Sequence, residues 1–94
     1  MTEPANAVAA ALRDRLAALE PQVLDIRDDS AAHAGHAGAA GGARHFSVLI
    51  VSHAFSGLSR LKRHEQVYRQ VADLLPHPVH ALSIKALTPE ELPS

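Results

Sequence analysis

Residues 29–44 hold four of the chain's five glycines, set among alanines with no large apolar side chain. A tract of this kind cannot bury enough surface to offset the entropy of ordering itself, so it reads as a mobile loop. The whole chain is 94 residues, enough for one domain (1–94) with a single modest core. The regular elements therefore have to be found on either side of this loop and pack together across it.

Before the loop, Pro4–Leu19 predicts a helix. Pro4 suits a first turn, Val8, Leu12, Leu16 and Leu19 recur at helical spacing, and Pro21 stops the run. In Gln22–Asp28, Leu24 and Ile26 alternate with Asp25 and Arg27, the pattern of a strand with one buried face. After the loop, His45–Ser52 predicts a second strand, with Phe46, Val48 and Ile50 on one face and Leu49 and Val51 partly buried on the other. Two strands joined by one loop most simply pair antiparallel. Ser59–Leu75 predicts a second helix whose apolar stripe is Leu61, Tyr68, Val71, Ala72 and Leu75, with Leu58 or Val67 at its margins; Pro76 and Pro78 end it. Val79–Leu87 predicts a third strand, and Thr88-Pro89-Glu90-Glu91 a capped helical start in a short tail, 88–94. The order αββαβ predicts an α+β fold in two layers, a three-stranded sheet with both helices on one face.

Composition narrows the chemistry. Phe46, Phe55 and Tyr68 are the only aromatics, so the core has to be built from Leu, Val and Ile. There is no cysteine, so the chain supplies no disulfide, thiolate or cysteine nucleophile. No run approaches the roughly 18 apolar residues that span a bilayer, and the start lacks a secretory pattern, so a cytoplasmic protein without membrane association is expected. The formal net charge of −1 argues against a general electrostatic hold on nucleic acid. No Ser-His-Asp spacing, phosphate loop, H-E-x-x-H helix or paired-carboxylate cleft is present, so the chain is not expected to be an enzyme. The outlier is histidine, with seven residues: His33, His36, His45, His53, His64, His77 and His80. Imidazole is the commonest metal ligand, so this excess invites a metal reading.

Phe55-Ser56-Gly57, Arg63-His64 and Val67-Tyr68 stand in order, followed by Val79-His80-Ala81-Leu82 and Thr88-Pro89. Together they resemble the F-x-G, R-H-x-x-[VI]-Y, H-A-L and T-P signature of BolA-like proteins, and Asp28-Asp29-Ser30 with His33 resembles that family's loop. The resemblance runs from about Val8 to Glu90. It implies a class II KH-like fold, partnership with a monothiol glutaredoxin in a heterodimer, and iron–sulfur cluster assembly or trafficking. Some relatives are instead described as transcriptional regulators that bind DNA. Two positions depart from the pattern: Ala31 replaces a loop histidine, and Glu65 stands where arginine is common.

A [2Fe–2S] cluster takes four ligands, and histidines can replace two of its thiolates. A chain with imidazoles and no thiol should therefore not hold a cluster alone; a cysteine-bearing partner and glutathione would complete the set, which is what the resemblance implies. The resemblance places the metal histidine at His80. A second ligand is expected from His33, or else His36. Imidazole binds metal only when neutral, so affinity should fall as it protonates below about pH 6.5. Arg60, Lys62, Arg63 and Arg69 with His64 form the candidate surface for nucleic acid or a partner protein. Against DNA, a KH grip uses G-x-x-G, whereas only Gly57 is present here and no aromatics are interleaved for stacking. His64 lies between Leu61 and Tyr68, which suits a half-buried histidine bonded to backbone. Divalent-metal chelation by His33 and His36 is a further non-enzymatic reading, and a homodimer is possible when the chain is alone.

Overall fold

Alanine-rich Ala5–Leu16 forms α1 and tightens into a 3-10 turn over Ala17–Leu19. Alanine favours the helix without burying much, so the packing falls to a narrow stripe. Val8, Leu12, Leu16 and Leu19 make up that stripe and are all buried. Glu20 turns left-handed at φ 50°, and Pro21 prevents continuation. The structure, a computed structural model, describes residues 5–29 and 44–92. Pro4, nearly all of the expected loop, and the candidates His33 and His36 lie outside these residues.

Three strands, β1 (Val23–Asp28), β2 (Arg44–Val51) and β3 (Val79–Leu87), form one sheet in the order β1-β2-β3. β1 and β2 run antiparallel, with Leu24 opposite Ile50 and Ile26 opposite Val48. β2 and β3 run parallel, with Phe46 opposite Leu82 and Ile50 opposite Ala86. Parallel neighbours require a crossover, and α2 (Arg60–Val71) with a 3-10 turn over Ala72–Leu74 provides it. Both helices contribute to one core with Phe46, Val48 and Ile50, leaving the opposite sheet face uncovered by helix. This is the expected two-layer α+β fold. Among the described residues no helix is long and apolar enough to cross a membrane.

The stripe of α2 differs from expectation. Leu61 is 67% exposed and Tyr68 41% exposed, whereas Val67, Val71 and Leu74 are buried. Spacings of four and three residues place these three on one line, rotated from the line through Leu61 and Tyr68. Helical periodicity allowed both phases. The line that won carries the valines into the core shared by α1 and the sheet, while the Tyr68 hydroxyl reaches the sheet edge.

That edge is closed by helix side chains. The Tyr68 hydroxyl donates to the Leu82 carbonyl at 3.2 Å, and Arg63 Nη1 donates to the Ala86 carbonyl at 3.0 Å, both on edge strand β3. At the other edge, Arg13 Nη1 donates to the Leu24 carbonyl of β1 at 3.2 Å. Long polar side chains laid over an edge satisfy its backbone and discourage pairing with another chain.

Two turn residues fix how the elements meet. Buried Ser52 donates its hydroxyl to the Leu19 carbonyl and accepts from the Ala54 N–H, tying the end of α1 to the end of β2. Gly57 sits at φ 77°, where a side chain would be strained although space is open around it. After β3, Thr88 leads into a 3-10 turn, Pro89–Glu91, in place of a longer helix.

Candidate functional site

His80 is placed by an irregularity in the sheet. In the β2–β3 register Arg44 faces Val79 and His45 faces Ala81, so one residue of β3 has no counterpart. Regular alternation would give His80 the same face as Leu82, toward the core. Instead Val79 and Leu82 are both buried while His80 is exposed. The register shift turns it outward, as bulges near functional sites commonly do. Its ring lies beside that of His45, with centroids 5.5 Å apart and planes at 57°.

Two imidazoles on one tetrahedral metal, each nitrogen about 2.1 Å from it, hold their centroids roughly 5 Å apart. The His45–His80 pair is close to that spacing, so its donor set fits two of the four positions around a [2Fe–2S] cluster's protein ligands. Among the described residues no group of three or more histidines, aspartates or glutamates gathers as a metal site. Around the pair, the Asp29 N–H donates to the His45 carbonyl at 2.7 Å. The Ser47 hydroxyl is hydrogen-bonded to the Asp29 carboxylate. Arg44 lies 3.7 Å from Asp28. These contacts fasten the start of β2 to the end of β1 and so hold the backbone that carries His45. Reading the sequence alone missed His45, because only the parallel register of β2 and β3 puts it next to His80.

The basic helix is thinner as a surface than its composition suggests. Arg63 is turned inward, its Nε donating to the Leu58 carbonyl at 2.9 Å and its Nη atoms to the Glu91 carboxylate at 2.6 and 3.0 Å. The Arg63 guanidinium, helped by the Thr88 N–H, lowers the Glu91 carboxyl to about 2, and Glu91 in turn raises Arg63. Lys62 lies 3.8 Å from Glu65. The half-buried His64 imidazole makes no hydrogen bond to any described residue, so the expected backbone partner is not seen. Exposed Arg60 and Arg69 remain, about 13 Å apart along the axis.

Most residues that carry the family resemblance have structural tasks. Phe55 and Val67 are core, Gly57 makes a turn, and Arg63 and Tyr68 close the β3 edge. His80 has no such task. A strand-borne, exposed imidazole beside a second imidazole is a part of the pattern that folding does not explain.

A family model described as BolA-like protein matches residues 16–91. The human protein "BolA-like protein 1" is 47% identical over 85 residues, 89% of this chain and 60% of its own length. The Escherichia coli protein "DNA-binding transcriptional regulator BolA" is 37% identical over 75 residues, covering 80% of this chain and 69% of its own. Among solved structures, "BolA1 from Arabidopsis thaliana" superposes with a TM-score of 0.77 at 41% identity, covering 90% of this chain and 95% of that one. The chain spans about 60% of the length of the mammalian relatives it matches.

Proposed function

Because the chain belongs to the BolA-like family, we propose that it shares a [2Fe–2S] cluster with a monothiol glutaredoxin, to which it contributes imidazole and no sulfur. The observation that carries this reading is the outward-turned His80 beside His45. His80 is one ligand. The second is drawn from His45, which the register places beside it, or from His33 or His36 on the segment between β1 and β2. The cluster is cargo held jointly: cysteine and glutathione thiolates come from the partner side, and imidazole on one iron raises its reduction potential relative to an all-thiolate set. Assembly, delivery and sensing of clusters all use such a shared state.

The test mixes the chain with a monothiol glutaredoxin, glutathione and reconstituted cluster, and follows visible circular dichroism. The wild-type chain changes the spectrum and His80→Ala abolishes the change. His45→Ala abolishes it too if His45 is the second ligand and leaves it intact if a loop histidine is. A spectrum unmoved by the wild-type chain, or moved equally by His80→Ala, refutes the reading.

A second reading, DNA-binding regulation, is favoured by the likeness to the E. coli "DNA-binding transcriptional regulator BolA". On this chain it would rest on Arg60 and Arg69. Preferential retention of one duplex over a scrambled one at moderate salt supports it. Mobility shifts lost identically for both duplexes as salt rises count against it. Divalent-metal chelation without a partner is separated from cluster sharing by calorimetry with zinc or copper in the absence of glutaredoxin.

A further inference from the structure

The sheet face opposite the helices carries side chains in rows set by the strand register. Asp25, Leu49 and Lys85 form one row and Arg27, Ser47 and Ser83 the next, and together they line a shallow concavity. At the end of the face near His45, the Asp29 carboxylate takes the Ser47 hydroxyl. At the other end stands the apolar row of Val23, Val51 and Leu87. Asp25, Arg27, Ser83 and Lys85 are exposed, and among the described residues Asp25, Arg27 and Lys85 make no hydrogen bond or ion pair.

The face thus holds two carboxylates, Asp25 and Asp29, and two cations, Arg27 and Lys85. That balance gives no preference for an acidic or a basic surface, and the carboxylates disfavour a polyanion such as a nucleic-acid strand. What distinguishes the face is where charge and bulk stand within the rows. Lys85 on β3 shares its row with Asp25 on β1, and Arg27 on β1 shares its row with Ser83 on β3. In each row a long side chain on one outer strand is matched by a short one on the other, with β2 midway between them.

A two-fold axis running along β2 exchanges the outer strands of two facing copies. It lays Lys85 of each copy over Asp25 of the other, and Arg27 over Ser83, while Leu49 and Ser47 meet their own counterparts on the axis. Val23, 39% exposed, falls over Leu87. The rim raised by Arg27 and Lys85 therefore enters the hollow above Ser83 and Asp25 of the second copy instead of striking another rim. Sheets packed face to face stand about 10 Å apart, a gap that an extended lysine and an aspartate span together.

We infer that this open face binds a second copy of the chain in a symmetric dimer joined by two Asp25–Lys85 ion pairs. The same patch serves both copies, as a two-fold interface requires. Three strands about 4.8 Å apart and four rows about 6.8 Å apart give a flat footprint of about 400 Å² per copy, below the roughly 800 Å² of a standard interface. The dimer is therefore transient and dissociates on dilution. It needs neither a cluster nor another protein, so it stands or falls separately from the cluster-sharing reading.

The test is sedimentation equilibrium of the chain from about 20 µM to about 1 mM. The samples are wild type, Asp25→Lys, Lys85→Asp, an equimolar mixture of these two variants, and Arg60→Glu with Arg69→Glu on α2 as the control. Wild type is expected to pass from monomer toward dimer across this range. Each reversal sets like charges against one another at both symmetric contacts and should weaken association about tenfold or more. In the mixture both contacts pair unlike charges again, so association should return to within about threefold of wild type. The control should match wild type. Far-ultraviolet circular dichroism verifies folding; should a reversal misfold, Asp25→Asn and Lys85→Gln replace the reversals, each weakening association about threefold. The inference is overturned if wild type stays monomeric at about 1 mM, or if the single variants associate within about twofold of wild type. Failure of the mixed reversals to recover association also overturns it, as does a loss in the α2 control equal to that of the sheet variants.

Discussion

Replacing Ser52 by alanine removes a single oxygen atom and unties three elements. The Ser52 hydroxyl donates at 2.5 Å to the Leu19 carbonyl, which ends the turn after α1, and accepts at 3.0 Å from the Ala54 N–H, which opens the 3-10 turn His53–Phe55. Ser52 is 1% exposed and Leu19 7%, so water has poor access to the abandoned carbonyl. A buried polar group deprived of its partner costs about 1–3 kcal/mol. Ala54 is exposed and its N–H can turn to solvent, so the lost cap adds an amount near the low end of the 0.5–2 kcal/mol scale, about 0.5 kcal/mol. The backbone bond from the Ser52 N–H to the Leu87 carbonyl, 2.9 Å, survives the substitution. A total of about 2 kcal/mol corresponds to a fall in Tm of roughly 10 °C for a chain of this size. Calorimetry, with urea unfolding followed at 222 nm, reads both quantities, and the denaturant slope should not change because the fold is retained. Exposed Ser56→Ala is the control. A fall of less than about 2 °C for Ser52→Ala would refute the claim that this hydroxyl couples α1 to the sheet.

Two other outcomes follow from the packing and the C-terminal clamp. Val67→Ala should cost about 2 kcal/mol in urea unfolding, whereas Leu61→Ala, at a position 67% exposed, should stay within about 0.5 kcal/mol; the reverse ranking would restore the alternative phase of α2. The Glu91 carboxyl, held by Arg63 near 2 against an ordinary 4.5, is lowered in the folded chain. Its contribution is therefore fully present above pH 4.5 and is lost as pH falls from there toward 2. Glu91→Gln should flatten the acid limb of the stability–pH profile across that window, and an unchanged limb would show that the clamp contributes nothing there.

Much of the architecture was legible because it depends on local rules. The stripe of Val8, Leu12, Leu16 and Leu19 admits one helical face, and the bounds of β3 are set by Pro78 before it and Thr88-Pro89 after it. Leu24 and Ile26 could be buried on one side of β1 only if Asp25 and Arg27 faced the other. The phase of α2 was not legible, since two apolar lines run along it and only packing into the common core with α1 and the sheet chooses between them. Arg63 illustrates the same limit at the candidate site. By composition it belongs to a basic patch, yet three acceptors brought in from the preceding turn, β3 and the C-terminal turn draw it inward. Sequence spacing does not report convergence of that kind.

By itself the sequence determined that these 94 residues have imidazole and no thiol to offer, that they carry the pattern of a small α+β fold, and that His80 opens a strand. Those are properties of composition and of short-range periodicity. The tertiary structure alone decided that His80 faces outward and that His45 stands next to it. Both follow from a one-residue shift between parallel strands that are separated in the chain by a whole helix. Registry between distant segments is a property of the packed sheet, set by which side chains can share a core, and no local pattern encodes it.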